Sequence, residues 1–424
     1  MTSSRWLRAV FVPAALVLAD LLVAPPEDGI TQEDYVVRPT AEPCLRVRPE
    51  PNTDAERFTC IPPGTRVLVV GSVPYWREVE LQDGRRGWAA KRFLEPVGPV
   101  ELAAPPKEIP EDAWLEVHFV DVGHGDGIWI TTHDDGIEGN GIFEGRNIVI
   151  DGGPRRAEAT NEMLHYLLER AHRNAVIDAW IMTHPHTDHF PGGQGLRSFF
   201  EIERYYDPGF PKEGVRYEAF LDSILNEPVE AMVGQETFDD LSYWGKELRA
   251  EILYSYPGEP EGLGSGSTLE NNASIVLRLE YGDHIFLFVG DAEGKRRADP
   301  DTVVHYVEKL LLDSLPPERL RADVLKAGHH GSESSSSRPF IEAVDPEIVV
   351  ILAAGRVFGG TVLPDQSVLE RYCDHNPEVR IYRTDYSDEE DGGDHVVIRS
   401  NGRELEAIQY LASEPAPDPS CDDL

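Results

Sequence analysis

Seven consecutive residues, T-H-P-H-T-D-H from Thr183 to His189, bring together the imidazoles of His184, His186 and His189 and the carboxylate of Asp188. Neutral imidazole and carboxylate are the donors that suit zinc and its first-row neighbours, and at this spacing one loop can wrap them around one ion or two. The run just before them, A-V-I-D-A-W-I-M from Ala175 to Met182, reads as a short buried strand, and Gly192-Gly193 after them reads as a turn. The candidate ligands therefore sit where a strand ends, the usual place for chemistry in layered α/β proteins. A surface loop that merely happens to be rich in His and Asp is the plain alternative. The rest of the chain argues against it.

Further segments carry the same chemistry at strand ends. L-E-V-H-F-V-D-V-G-H-G-D-G-I-W-I from Leu115 to Ile130, followed by N-I-V-I-D-G-G from Asn147 to Gly153, alternates apolar residues around Gly-rich turns and reads as paired strands. N-N-A-S-I-V-L-R-L-E-Y-G-D-H-I-F-L-F-V-G-D-A-E from Asn271 to Glu293 predicts a hairpin turning at Tyr281-Gly282-Asp283, whose second strand stops at Gly290-Asp291. A carboxylate placed there is a natural bridge between two ions. A-D-V-L-K-A-G-H-H-G-S from Ala322 to Ser332 then delivers His329 and His330 to a Gly-Ser turn.

In this order the segments resemble the metallo-β-lactamase fold superfamily, and H-H-G-S points to its ComEC-type branch, with His124 standing where that branch usually has Gln. The resemblance covers roughly Trp114 to Leu411 and implies a four-layer αββα sandwich with its metal site at one edge of two sheets. It implies His184, His186, Asp188, His189, Asp291 and His330 as ligands of one or two divalent ions, zinc first and manganese second. Asp126 and Asp151 would orient ligand imidazoles. Asp188 would also act as the base that orients a metal-activated water, and His329 would face substrate, although the roles of His329 and His330 can be exchanged. Gly331 and Ser332 could meet a substrate oxygen. One departure matters: the superfamily usually supplies another His before the bridging Asp, and between Phe190 and Gly290 only His284 is present, which reads as a strand side chain. Water, or an Asn such as Asn271 or Asn272, could complete that site, so the number of ions stays open.

Ahead of this region lies a strand-rich module, Pro43 to Val97, with short runs punctuated by Gly, Pro and Asp-Gly turns, as in a small barrel. Its L-R-V-R-P opening, P-P-G-T turn and late G-W resemble the bacterial SH3-like domain, which implies a cell-wall or protein ligand. Trp76 and Trp88 could face that ligand or fill the core. The spacing of Cys44 and Cys60 suits strand-to-strand bridging, whereas Cys373 and Cys421 show no evident partner chemistry.

At the N-terminus, Arg5 and Arg8 precede an apolar run from Ala9 to Ala19, too short for the roughly 20 residues of a membrane span but suited to an export signal. The expected organisation is a signal peptide or anchor at 1–24, the SH3-like domain at 43–97, a Pro-rich acidic linker at 98–113, the hydrolase domain at 114–411 and a disordered tail at 412–424. No multi-span membrane domain is expected. Helices are expected over Glu158–Asn174, Val303–Ser314, Pro339–Val344 and Ser367–His375, and the stretch from Phe200 to Thr268 carries no motif.

Charge constrains the substrate. With 76 acidic and 39 basic residues the formal net charge is -37, which repels polyanions at long range and argues against tight binding of long DNA. A phosphoester remains compatible, because metal cations reverse the field locally. The reading is therefore an exported metal-dependent hydrolase of a phosphodiester, either nucleic acid or a small or envelope phosphoester, with a β-lactam ranked lower. The alternative, from another class, is a secreted wall- or protein-binding protein whose metal fold is inactive.

Overall fold

The computed structural model describes residues 33–97, 108–410 and 419–423, apart from short interruptions of which 235–240 and 387–392 are the longest. The expected signal segment at 1–24 and most of the linker lie outside the described residues.

The N-terminal module is built from β1 (Glu33–Val37), β2 (Leu45–Val47), β3 (Thr59–Ile61), β4 (Arg66–Val73), β5 (Trp76–Glu80), β6 (Arg86–Ala90) and β7 (Leu94–Pro96). Five of these strands form one sheet in the order β6-β5-β4-β1-β7, and β2 pairs with β3. Strand β1 precedes the expected start at Pro43, yet it lies between β4 and β7 and contributes Tyr35 and Val37 to the core. Trp76 is buried, whereas Trp88 is half-buried. So small a core gains from a covalent clamp, and Cys44 is bonded to Cys60 across the β2–β3 pair.

The larger unit runs β8 (Leu115–Phe119), β9 (Gly127–Thr131), β10 (Asn147–Asp151), α1 (Glu162–Arg170), β11 (Val176–Ile181), α2 (Gly193–Leu196), β12 (Glu201–Asp207), α3 (Val215–Leu225), β13 (Glu230–Val233), β14 (Leu248–Tyr254), α4 (Ser267–Asn271), β15 (Val276–Tyr281) and β16 (His284–Phe288). It continues through α5 (Tyr306–Ser314), α6 (Pro317–Leu320), β17 (Val324–Lys326), α7 (Arg338–Val344), β18 (Ile348–Ile351), β19 (Val357–Phe358), β20 (Thr361–Val362), α8 (Gln366–His375), β21 (Arg380–Arg383), β22 (Val396–Ser400) and β23 (Leu405–Gln409). An eight-stranded sheet has the order β13-β12-β11-β10-β9-β8-β22-β23, and a six-stranded sheet has the order β14-β15-β16-β17-β18-β21.

Side chains alternate across a strand, so a run that is apolar throughout must be covered on both faces. In β18, Ile348 and Val350 join the core between the sheets, while Val349 and Ile351 join the core under the helices. Each such side chain contributes roughly 1.5–3 kcal/mol through burial. Between the sheets, Val117, Ile130 and Ile150 meet Leu277, Phe286 and Val350. On one outer face Met163, Leu164 and Phe220 from α1 and α3 cover Val149, Ile177 and Trp180; on the other, Val307, Ile341 and Leu369 from α5, α7 and α8 cover Leu287, Leu325 and Val349. Helix, sheet, sheet and helix make the four expected layers.

Two expectations at the C-terminus are corrected. Cys373 and Cys421 are bonded to each other, so the chain end is tied to α8. Residues 411–418 lie outside the described residues, but Ile381 N–H donates to Pro419 O at 2.8 Å and 419–423 are docked rather than disordered. Composition missed this because the bond joins residues 48 apart in sequence.

Candidate metal centre

Parallel pairing fixes where the strands end together. Ile150 of β10 lies opposite Ile181 of β11, and Phe288 of β16 lies opposite Lys326 of β17. Asp151, the last residue of β10, and the loops after β11, β16 and β17, which carry the Thr183–His189 string, Asp291 and the His329-His330 pair, therefore meet at one edge. The two sheet edges are stitched by Ile275 N–H donating to Thr183 O at 3.0 Å, and within the six-stranded sheet His329 N–H donates to Gly290 O at 3.2 Å. His329 and His330 both adopt left-handed backbone, at φ 47° and 54°, a strained conformation for non-glycine residues that is characteristic of functional turns.

Three imidazole nitrogens converge on Asp291 Oδ2: His189 Nε2 at 3.3 Å, His330 Nε2 at 3.4 Å and His184 Nε2 at 3.6 Å. The opposite nitrogens are tied down. His189 Nδ1 lies 2.8 Å from Asp151 Oδ2, His330 Nδ1 lies 2.8 Å from Leu352 O and 3.4 Å from Asp126 Oδ1, and His184 Nδ1 lies 3.1 Å from Thr183 Oγ1. His186 Nδ1 lies 3.0 Å from His184 Nε2, and its Nε2 lies 2.6 Å from Glu270 Oε2. Asp188 Oδ2 lies 3.6 Å from His330 Nε2 and 3.5 Å from His124 Nε2.

The separations of 3.3–3.6 Å around Asp291 Oδ2 and Asp188 Oδ2 fit co-ligands better than hydrogen bonds. Hydrogen bonds of this kind run to roughly 3.2 Å, whereas two ligands about 2.1 Å from one tetrahedral ion stand about 3.4 Å apart. His189 Nε2, His330 Nε2 and Asp291 Oδ1 are buried and make no hydrogen bond. Four sets of donors each lie within 4.8 Å of one another: His124, Asp188 and His330; His184, His186 and Asp291; His189, Asp291 and His330; and Asp126, Asp151 and His189. The buried polar atoms and the nitrogen-carboxylate chemistry both fit a divalent cation.

The electrostatics tell the same story without an ion. Burial disfavours the charged forms of Asp291 and Asp188, but the neighbouring imidazoles, His330 foremost, outweigh it and hold both carboxyls below the usual range. Burial likewise opposes the cations of His189 and His330, yet Asp291 and the other carboxylates raise both above the ordinary histidine range. His184 and His124 go the other way, lowered by burial first and by a neighbouring imidazole second, His124 to about 3. Against Asp126, Asp151, Asp188 and Asp291 stands the ammonium of Lys326, fully buried, paired with Asp126 and 2.9 Å from Gly290 O.

The six ligand candidates, His184, His186, Asp188, His189, Asp291 and His330, thus lie together, with Asp126 and Asp151 behind them. His329 stands aside, its ring 6.1 Å from that of His330 and a quarter exposed, between Glu293 Oε1 at 3.4 Å and Ser334 Oγ at 3.2 Å. Ser332 already uses its N–H on His329 O and holds its Oγ 3.0 Å from Ser334 Oγ and 3.2 Å from Arg297, so a substrate oxygen at Gly331-Ser332 would compete with these bonds. His284 Nδ1 lies 2.7 Å from Ser400 Oγ at the far end of β16 and does not complete the centre. Asn272 is occupied by Leu263 O and Glu293 N, whereas Asn271 Oδ1 is buried without a hydrogen bond. Sequence reading missed Glu270, Lys326 and the placement of His124. A lysine in an otherwise apolar strand was the available signal for Lys326.

Comparison with known proteins agrees with this geometry. The metallo-beta-lactamase superfamily model matches residues 142–356, just over half of the chain, and a bacterial SH3 domain model matches residues 45–95. The chain belongs to the metallo-beta-lactamase superfamily, and its relatives are of the ComEC type. ComE operon protein 3 of Bacillus subtilis is 28% identical over 284 residues, covering 64% of this chain and 32% of that protein. Recombination protein 2 of Haemophilus influenzae is 24% identical over 265 residues, covering 62% and 27%. The matched region therefore spans about a third or less of these relatives' length. Among solved structures, the metallo-beta-lactamase fold protein YhfI of Bacillus subtilis is 11% identical with a TM-score of 0.37, covering 68% of this chain and all of that one. ST1585 of Sulfolobus tokodaii is 15% identical with a TM-score of 0.27, covering 61% and 96%. The family assignment rests on the sequence match, not on these.

Proposed function

We propose that this superfamily member hydrolyses a phosphodiester outside the cytoplasm, in a reaction that depends on one or two divalent ions, zinc before manganese. The observation that carries the reading is the convergence of His184, His189 and His330 on one oxygen of Asp291, with each ring's other nitrogen engaged. Bound there, the ions would supply positive charge that acidifies water and stabilises an anionic transition state.

The chain's own residues supply orientation and proton handling. Asp151 and Asp126 fix the rings of His189 and His330, and Glu270 fixes His186. Asp188, the most exposed carboxylate of the group, accepts a proton from the attacking water at Oδ2. His329, partly exposed and steadied by Glu293 and Ser334, hydrogen-bonds the substrate's leaving oxygen.

A phosphodiester is favoured over a β-lactam because the likeness is to the branch carrying H-H-G-S, and a small or envelope phosphoester over long DNA because the net charge is -37. Export is supported by the SH3 domain, with its cell-wall or protein ligand, and by two disulfides, bonds that persist in oxidising compartments. Among the described residues no helix is long and apolar enough to cross a membrane.

The test is hydrolysis of bis(p-nitrophenyl) phosphate, nitrocefin and single-stranded DNA side by side, with zinc or manganese. Phosphodiester turnover that chelation removes is expected. Nitrocefin turnover without it would reverse the assignment.

A further inference from the structure

We infer that His124 is itself a metal ligand, so that the ion beside Asp188 and His330 is held through three imidazoles rather than two; this rests on the metal-centre reading above. His124 belongs to the turn between β8 and β9, and the glycines on either side bring it in. Gly123 and Gly125 have φ of 77° and 146°. A Cβ on Gly125 would stand 2.1 Å from Asp188 O, so only glycine lets the turn press against the metal loop. The turn delivers a buried imidazole, 8% exposed, whose ring centroid lies 4.5 Å from that of His330. Its Nε2 lies 3.5 Å from Asp188 Oδ2, nearly the same separation as His330 Nε2 at 3.6 Å. Both are long for hydrogen bonds and near the about 3.4 Å expected of co-ligands on one tetrahedral ion.

The consequence is an unequal centre. One side draws on His124, Asp188, His189 and His330, with Asp291 shared, whereas the other has His184, His186 and the same Asp291. The first ion is bound tightly and through nitrogen, which favours zinc over manganese. The second is bound weakly and exchanges.

Zinc and manganese titrations of the metal-free full chain, wild type and His124→Gln, test this, with cobalt(II) used as the spectroscopic probe. Gln preserves volume and polarity, and circular dichroism with thermal unfolding of both metal-free chains controls for folding; His124→Asn serves as a second variant. Wild type should take up zinc in two steps. In His124→Gln the tighter step should weaken about tenfold or more, zinc should lose more than manganese, and the cobalt-loaded chain should lose one paramagnetically shifted imidazole N–H signal. A merely adjacent His124 would leave that signal count unchanged. A variant with unaltered zinc affinity and cobalt signals overturns this inference alone. Failure of the wild-type chain to bind any ion overturns the hydrolase reading with it.

Discussion

Lys326 Nζ lies 3.7 Å from Asp291 Oδ1, on the side of the carboxylate opposite the three imidazoles that face Oδ2. The same ammonium, fully buried, is paired with Asp126. One carboxylate is thereby split between two duties: Oδ1 answers a fixed cation and Oδ2 faces the site for an exchangeable one.

Lys326→Met should therefore take from Asp126 its paired ammonium and leave Asp126 and Asp291 only the neighbouring imidazoles to balance them, a change of the kind that typically costs about 3–5 kcal/mol. The loss should be largest without metal and shrink when zinc is added, because the ion supplies part of the missing charge. Urea denaturation with chelator and with zinc reads this directly. Equal destabilisation under both conditions would show that Lys326 acts through packing alone.

Replacing Asp188 and His189 together by Ala removes a half-buried proton acceptor and one of the rings facing Asp291. Metal-dependent hydrolysis of bis(p-nitrophenyl) phosphate should fall to the level of the blank, while the far-ultraviolet circular dichroism spectrum should be retained. Turnover equal to wild type would sink the assignment of the chemistry to this edge.

Much of this centre was legible in the sequence because its ligands follow apolar strands such as Val176–Ile181, whose burial on both faces can be read from composition. What was not legible depends on partners far along the chain. Glu270 gains its role only when α4 brings it to His186, 84 residues away. The strand Glu201–Asp207 was hidden because its outer half is polar and partly exposed, while Tyr205, Tyr206 and Asp207 are buried. There Asp207 accepts hydrogen bonds from Tyr205, Tyr217 and Gly209 N–H, a network that no local pattern announces.

Glu308 gives a pH signature separate from the metal centre. Burial pushes its carboxyl up to about 7 from 4.5, against the hydrogen bonds it accepts from Ser337 and Ser336. Between those values the folded chain keeps a proton that the unfolded chain has released, so stability falls as pH rises from about 4.5 to about 7 and levels off above. The full excursion is about 3 kcal/mol. Glu308→Gln should remove this slope whatever its constant offset; an unchanged slope in denaturation midpoints between pH 4.5 and 7.5 would assign it to other groups.

The last prediction concerns compartment. Both cysteine pairs are bonded, Cys44 with Cys60 and Cys373 with Cys421, and among the described residues no cysteine is free. In the cytosol such bonds are rarely kept, so a protein exported through its Arg5, Arg8 and Ala9–Ala19 segment is expected to show no thiol before reduction and four after it. Its first residue should lie near Asp20. The second bond closes 48 residues and anchors the chain end, so Cys421→Ser should lower stability by up to about 4 kcal/mol. Thiol titration with N-terminal sequencing of protein recovered from the cell envelope and medium checks the first two expectations, and denaturation the third. Recovery from the cytoplasm with Met1 or Thr2 leading and four free thiols would overturn export, and the hydrolase reading would stand without it.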